Sequence, residues 1–266
     1  MPLIGVRART IPLLGKEVRR ISGLSMMLSY IRFFKLQWVS CQRVGCVGRL
    51  GATVWFSTII IFLFAGLPVS AAEMIIDEYK GGLSPKWEEK SFDGKTEYEV
   101  IREGSETCLK ATSNASASAL YYKIKYDAKE YPVLKWRWKV NGIISKGNAL
   151  QKKGDDYAAR VYVVFPSPAF WRTKTLIYIW ANRLPRGKAV PNPYAQNAVM
   201  IAVESGPERT GQWVEERRNV LSDYRKHFGQ DPPKVGAVAI MTDTDNTGEK
   251  AVAWYGPIRV LSDGGE

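Results

Sequence analysis

The chain has 266 residues, and a composition of 45% hydrophobic and 24% charged side chains is that of a globular protein, not a disordered or fibrous one. Its 38 Lys and Arg against 26 Asp and Glu give a net charge of +12, but residues 1–72 hold 9 of the basic and 1 of the acidic side chains. Residues 73–266 are left with 29 basic and 25 acidic side chains, which is close to balance. So small a basic excess is not the charge pattern of a nucleic-acid-binding domain, and we expect no nucleic-acid partner.

Residues 1–72 have the order of a secretory leader. Basic residues precede an uncharged apolar run at residues 54–67, and small residues follow it. This run of 14 residues is shorter than the roughly 20 residues that a bilayer-spanning helix needs. We therefore predict an N-terminal signal helix that is cleaved near Ala71 or Ala72, which makes the protein periplasmic or secreted. An uncleaved membrane anchor is the alternative, and we expect membrane contact only through the leader and only if the leader is not cleaved.

From residue 73 onward, apolar residues recur at every second position between short turns, which is typical of antiparallel strands with one buried face. We interpret residues 73–266 as a single all-β domain, an antiparallel two-sheet sandwich of jelly-roll type with one short helix. That helix is predicted at residues 222–229, with Ser222 as its N-cap. The predicted strands are 96–101, 108–111, 119–126, 133–140, 158–165, 175–180, 198–204, 212–219, 235–242 and 252–260.

Single positions within this pattern carry further predictions. Trp136 and Trp138 fall on the same face of one strand and are predicted to lie in the core. The charged run at residues 215–218 is interpreted as a solvated strand face. Cys108 is the one cysteine of the domain and is interpreted as a buried structural thiol and not as a nucleophile, because the one histidine, His227, lies far along a polar segment.

Five sequence blocks suggest a family. The blocks are LKWRWKV at 134–140, GDDYAARVYVVF at 154–165, IYIWAN at 177–182, RNVLSDYRKHFG at 218–229 and VAIMTDTDNT at 238–247. In order and spacing they resemble the bacterial exported family called domain of unknown function 3047. The resemblance implies an uncharacterised periplasmic or secreted domain, and it supplies no reaction, substrate or catalytic residue.

Two polar groups adjoin predicted strands and could form one oxygen-rich site if their turns open at the same end of the sandwich. They are Asp155, Asp156 and Arg160 at the entry to one strand, and Asp243, Asp245 and Asn246 after another. Three interpretations remain open. The acids and amides close turns through their own backbone, they bind calcium, or they act as paired acids in glycoside hydrolysis. The second turn departs from an EF-hand loop, because Trp254 stands where that loop requires a glutamate.

Aromatic side chains offer a second candidate surface for sugar rings. Trp171 lies in a proline-containing turn after a predicted strand, which favours an exposed position for its ring, and we include it among the candidate ligand-binding residues. Other aromatic residues that could present flat faces are Tyr178, Trp180, Tyr194 and Trp254.

The sequence does not carry the usual catalytic arrangements. One histidine in the chain and the absence of a Gly-x-Ser-x-Gly motif exclude the usual Ser-His-Asp triad, and no His/Cys cluster could bind zinc. We therefore assign no catalytic residue and no cofactor, with calcium as the one alternative. The first hypothesis is a non-catalytic exported protein that binds a carbohydrate-like or other polar envelope ligand. A polysaccharide hydrolase with paired Asp residues and a structural envelope protein are the alternatives.

Overall fold

The fold is described from a computed structural model, which describes residues 72–262. The leader predicted at residues 1–72 falls outside the described residues except for its last position. Among the residues that are described, no helix has the length and apolar character needed to cross a bilayer.

The described chain forms thirteen strands and one α-helix. In chain order the strands are β1 (Glu73–Asp77), β2 (Trp87–Asp93), β3 (Glu97–Glu103), β4 (Glu106–Asn114), β5 (Ala117–Tyr126), β6 (Val133–Val140), β7 (Arg160–Phe165), β8 (Lys174–Ala181), β9 (Ala189–Pro191), β10 (Ala198–Ser205), β11 (Val214–Asn219), β12 (Val235–Asp243) and β13 (Lys250–Leu261). All ten predicted strands are present, and β1, β2 and β9 are additional. The predicted all-β sandwich with one helix is confirmed.

The strands form two sheets. The six-stranded sheet has the order β11-β6-β13-β4-β3, with β1 paired to β13, and the seven-stranded sheet has the order β2-β5-β12-β7-β8-β10-β9. Neighbouring strands are antiparallel except β8 and β10, which are parallel. The prediction of a wholly antiparallel sandwich is wrong at this pair. After β8 the chain runs back through β9, which is antiparallel to β10. It thereby returns to the end of the sheet where β8 began, and β10 can run in the same direction as β8.

The main core lies between the two sheets. Trp136 and Trp138 are fully buried there, which confirms their predicted position. Each of these rings meets a ring of the opposite sheet: the centroid of Trp136 is 5.3 Å from that of Tyr178, and the centroid of Trp138 is 5.9 Å from that of Trp180. Tyr178 and Trp180 are therefore core residues, and the prediction that they present faces to a sugar is wrong.

The outer face of the seven-stranded sheet carries a second apolar cluster, and we call it the covered face. The segments 141–159 and 182–197 lie over it and contribute Tyr157 and Val190 to that cluster. The Tyr157 hydroxyl donates to Met200 Sδ at 3.5 Å, which ties one of these segments to the sheet. The strand residues in this cluster are Ala117, Ala119, Tyr162, Ile177, Ile179, Ala181, Ala198, Met200, Ala202, Ala239 and Met241.

Helix α1 (Val220–Phe228) closes one end of the sandwich, and the Tyr224 ring lies 4.5 Å from that of Phe165, the last residue of β7. We call this the helix end. Arg160, where β7 begins, and Asp243, where β12 stops, lie at the opposite end, which we call the acid end.

The helix begins earlier than predicted, because Asn219 and not Ser222 is the N-cap. The Asn219 side-chain oxygen accepts a hydrogen bond from the Ser222 N–H at 2.8 Å. Gly229 follows the helix in the left-handed conformation at φ 67°, which is typical of a helix C-terminus. The predicted end of the helix therefore matches the structure, while the predicted N-cap was wrong.

Candidate functional site

Arg160 and Asp243 form a buried ion pair at the acid end. Met241 is the register partner of Arg160, so Asp243, two residues further along β12, lies on the same covered face. Arg160 Nε donates to Asp243 Oδ1 at 2.9 Å, and Nη2 donates to Oδ2. Both side chains are 1% exposed. The Tyr157 N–H donates to Asp243 Oδ1 at 3.3 Å, so donors surround this carboxylate.

Asp156 connects the two predicted turns. Its Oδ1 accepts hydrogen bonds from the Asn246 N–H at 3.3 Å and from Asn246 Nδ2 at 3.1 Å, and its Oδ2 accepts one from the Thr247 N–H at 2.7 Å. The backbone oxygen of Asp156 accepts from Asn182 Nδ2 at 2.8 Å. This fully buried carboxylate therefore orders the loop after β12 with three N–H donors.

Asp155 is less completely paired. Its Oδ2 accepts a hydrogen bond from Asn192 Nδ2 at 3.1 Å and lies 3.6 Å from Arg160 Nη1. Its Oδ1 is buried and has no hydrogen-bond partner within the described part of the chain. The side chain is 2% exposed, and burial raises the pKa of Asp155 against the opposing effect of Arg160. One buried oxygen atom thus lacks a donor.

Asp245 is the half-buried acid of the group. Burial, and next the charge of Asp156, raise the pKa of Asp245 to about 6. One carboxylate oxygen from each of Asp156, Asp243 and Asp245 lies within 4.8 Å of the other two. We call Asp155, Asp156, Asp243 and Asp245, together with Arg160, the acid cluster. It holds four carboxylates and one guanidinium.

Tyr194, from the segment that includes β9, lies at the edge of the acid cluster. Its hydroxyl donates to Asn246 Oδ1 at 2.5 Å and lies 3.0 Å from the Lys152 backbone oxygen. The Lys152 ammonium is 5.5 Å from the centre of the Tyr194 ring. Burial and the nearby acids raise the pKa of Tyr194 to about 12, so the phenol remains a donor. Asp245, Asn246 and Tyr194 are all half-buried, and we call them the rim.

The structure brings together six of the seven predicted ligand-binding residues. Asp155, Asp156, Arg160, Asp243, Asp245 and Asn246 converge at the acid end. Trp171 does not join them. It lies in a 3₁₀ turn, Phe170–Arg172, that follows β7 at the helix end, and it is 59% exposed. Whether any of the seven binds a ligand stays a prediction.

Sequence reasoning missed two buried polar residues, Asn192 and Glu216. Asn192 lies far from Asp155 along the chain, and no signal in the sequence predicts their hydrogen bond. Glu216 is buried, so the prediction of a solvated strand face is wrong there. Its position two residues after the buried Val214 gives it the inward side of β11, and strict alternation would have identified it. Burial and the charge of Glu204 raise the pKa of Glu216 to about 7.

The fold and site define an all-β sandwich with a buried cluster of acids at one end. The family model described as "Protein of unknown function (DUF3047)" matches residues 85–259, and the chain belongs to this family. No curated protein matches the chain.

Three similar solved structures are carbohydrate-binding modules. A family 11 module of the cellulosomal cellulase Lic26A-Cel5E of Clostridium thermocellum has a TM-score of 0.41 and 11% identity, over 73% of this chain and 96% of that one. A family 30 module of cellulase Cel9D-Cel44B of the same organism has a TM-score of 0.43 and 11% identity, over 72% and 98%. A family 29 module has a TM-score of 0.36 and 9% identity, over 73% and 90%. At these values the likeness does not extend to what the chain binds.

Proposed function

We propose that the protein is an exported, non-catalytic binding protein that takes a polar, carbohydrate-like ligand at the rim of the acid cluster, where a calcium ion is held. The observation that supports this proposal is the excess of negative charge in the cluster, which holds four carboxylates and one guanidinium. Buried carboxylates without compensation are costly, and they either take up protons or bind a cation.

The hydrogen bonds leave part of the negative charge of the acid cluster without donors. Asp156 and Asp243 each accept three N–H donors, whereas Asp155 Oδ1 has no donor within residues 72–262. Asp245 receives no hydrogen bond from another side chain in that range. Calcium binds oxygen at about 2.3–2.6 Å, and three oxygens within 4.8 Å of one another can surround a single ion at that distance. Asp156, Asp243 and Asp245 would supply these ligands, and the carboxylate of Asp155 beside them adds to the negative charge that a cation would neutralise.

The rim has the chemistry that sugar hydroxyls require. Asp245 offers acceptors, Asn246 offers both a donor and an acceptor, and the half-buried Tyr194 offers a ring face. A calcium ion bound at this edge would leave coordination positions that a pair of hydroxyls could fill. These groups point to a polyhydroxylated ligand and not to an apolar one.

The same hydrogen bonds make Asp156 and Asp243 poor candidates for hydrolysis. A glycosidase needs one carboxyl that gives up a proton and another that attacks or activates water. Asp243 is bound by Arg160 through both oxygens, and Asp156 is bound by the Asn246 and Thr247 N–H groups. Donors that stabilise both ionised forms oppose proton transfer, which favours binding over turnover.

The calcium proposal is tested by thermal unfolding. We expect calcium to raise the melting temperature and a chelator to reverse the increase, because an ion that binds only the folded state stabilises it. Asp245→Asn should abolish the increase, whereas Glu97→Gln, which alters an exposed acid on β3, should leave it intact. An unchanged melting temperature with calcium would overturn the cation site.

The ligand is tested on an array of glycans with and without calcium. We expect retention of specific glycans without release of reducing ends, and we expect Tyr194→Ala to weaken that retention. Trp254→Ala alters an aromatic residue on the outer face of the six-stranded sheet and should have no effect. Release of reducing ends that Asp156→Asn or Asp243→Asn abolishes in protein that is still folded would establish the hydrolase instead.

A further inference from the structure

Phe170 and Trp171 form an exposed aromatic pair at the helix end. Phe170 is 36% exposed and Trp171 is 59% exposed, and their ring centres are 4.9 Å apart in an edge-to-face arrangement. They lie in the turn between β7 and β8, so the length of β7, about 20 Å at roughly 3.3 Å per residue, separates them from the acid cluster. We call this pair the aromatic tip. Two adjacent exposed aromatic rings in a short turn contribute little to the core.

Three basic side chains lie at the same end of the sandwich as the aromatic tip. Arg172 ends the turn, Lys226 lies on α1, and Lys234 directly precedes β12. All three are exposed, and none has an ion pair within the described residues. Of the exposed acids at this end, Asp231 is neutralised by Lys129 and Arg225, each at 2.7 Å, and Glu130, in the turn between β5 and β6, has no ion pair within the described residues. The helix end thus presents an excess of unpaired positive charge, three basic side chains against one acid, together with the exposed aromatic rings.

The described chain also begins at the helix end. Register pairs connect Asn219, the N-cap of α1, to Val133, Val133 to Leu261, and Leu261 to Glu73 in one row across the six-stranded sheet. Backbone and side-chain hydrogen bonds of 2.8 Å between Ala72 and Ser262 fix the chain there. The apolar run of the leader, residues 54–67, shortly precedes this point in sequence. The leader therefore joins the domain at the end that carries the aromatic tip.

We propose that the helix end is a membrane-facing surface that binds an anionic phospholipid bilayer. Phe170 and Trp171 enter the headgroup region, where amphipathic aromatic rings are favoured. Arg172, Lys226 and Lys234 contact the lipid phosphates, since basic residues are attracted to an anionic leaflet. The sequence predicts membrane contact only through an uncleaved leader, and the tip adds a contact that does not require the leader. In this orientation the acid cluster faces away from the bilayer. The proposal does not depend on what the rim binds.

The test places an environment-sensitive fluorophore at each end of the full-length chain. Trp171→Cys and Leu150→Cys provide the labelling sites in a chain with Cys41→Ser and Cys46→Ser, while the buried Cys108 stays unlabelled. Leu150 is the matched control, because it is an exposed apolar residue, 71% exposed, in the loop that leads to the acid cluster.

Vesicles of phosphatidylglycerol and phosphatidylcholine with brominated acyl chains give the readout. We expect a blue shift and quenching of the probe at position 171 and neither effect at position 150. Quenching at position 171 should decrease in vesicles of phosphatidylcholine alone. Equal quenching at both positions, or none at position 171, would overturn the proposal, whether or not the leader itself inserts.

Charge reversal tests the basic contribution separately. Each basic residue near an anionic surface contributes roughly fivefold to binding, so Arg172→Glu with Lys226→Glu should reduce the quenched fraction at position 171 severalfold. Lys153→Glu changes an exposed lysine at the acid end and should have no such effect. An equal decrease in the quenched fraction from the helix-end variant and from Lys153→Glu would contradict a lipid contact at the helix end.

Discussion

Arg160 donates hydrogen bonds to both carboxylate oxygens of Asp243 across the adjacent strands β7 and β12, and both side chains are buried. A pair of this kind stabilises a fold relative to the loss of one partner, not relative to an apolar pair. Removal of either partner leaves a buried charge alone. The ion pair is therefore the part of the acid cluster on which the fold itself depends.

Arg160→Met should lower the free energy of unfolding by about 3–5 kcal/mol, because it leaves Asp243 buried without its cation. The matched control is Arg137→Met, which removes a two-bond contact to the exposed Glu106 on the six-stranded sheet. An exposed pair contributes about 0–1 kcal/mol. Urea unfolding measures both variants, and equal losses would contradict the structural role of the Arg160 pair.

The alternation of apolar residues was sufficient to predict most of the sandwich. In β6 every second residue faces the core, so its bounds match the prediction. The strands that were missed are edge strands or very short: β2 reads WEEKSFD, with charged residues on both faces, and β9 has 3 residues. Edge strands bury little surface, and their sequences therefore carry a weak alternating signal.

The site could be predicted in composition but not in arrangement. Asp156 and Asp243 adjoin strands that lie far apart in sequence, and their convergence depends on the pairing of β12 with β7. Alternation within each strand predicts which side chains share a face, but it contains no information on which strands are neighbours. Trp171 is a second example. Its exposure could be predicted from the proline-containing turn, but its position at the opposite end of the sandwich from the acids could not.

Asn219→Ala should cost about 1 kcal/mol of stability, since the Asn219 side chain caps the first turn of α1. Ser222→Ala is the matched control and should change stability by no more than a few tenths of that amount, because Ser222 contributes only its backbone N–H to this cap. Thermal or urea unfolding of the two variants shows whether Asn219 or Ser222 is the N-cap of α1. A larger loss for Ser222→Ala would restore the N-cap predicted from the sequence.

Cys108 should not react with a thiol reagent while the protein is folded. The side chain is buried, and burial raises the pKa of its thiol to about 11, so almost no reactive thiolate is present at neutral pH. The measurement uses a chain with Cys41→Ser and Cys46→Ser and follows reaction with a chromogenic disulfide. We expect one equivalent of reaction in denaturant and none without it. Rapid reaction of the folded protein would contradict the burial of Cys108.

Glu216 should make the protein less stable as the pH rises from about 4.5 to about 7. The pKa of Glu216 is about 7 in the folded protein against an ordinary value of 4.5, because burial and the nearby Glu204 disfavour the charge. Between these values the folded state holds a proton that the unfolded chain has released, so stability falls with rising pH, by about 3 kcal/mol in all.

Glu216→Gln should remove this part of the pH dependence and raise stability at pH 8 relative to wild type. Glu215→Gln, an exposed neighbour paired with Lys135 at 3.0 Å, should keep the wild-type slope. Urea unfolding from pH 4 to pH 8 measures all three proteins, and a wild-type slope in Glu216→Gln would show that Glu216 ionises normally in the fold.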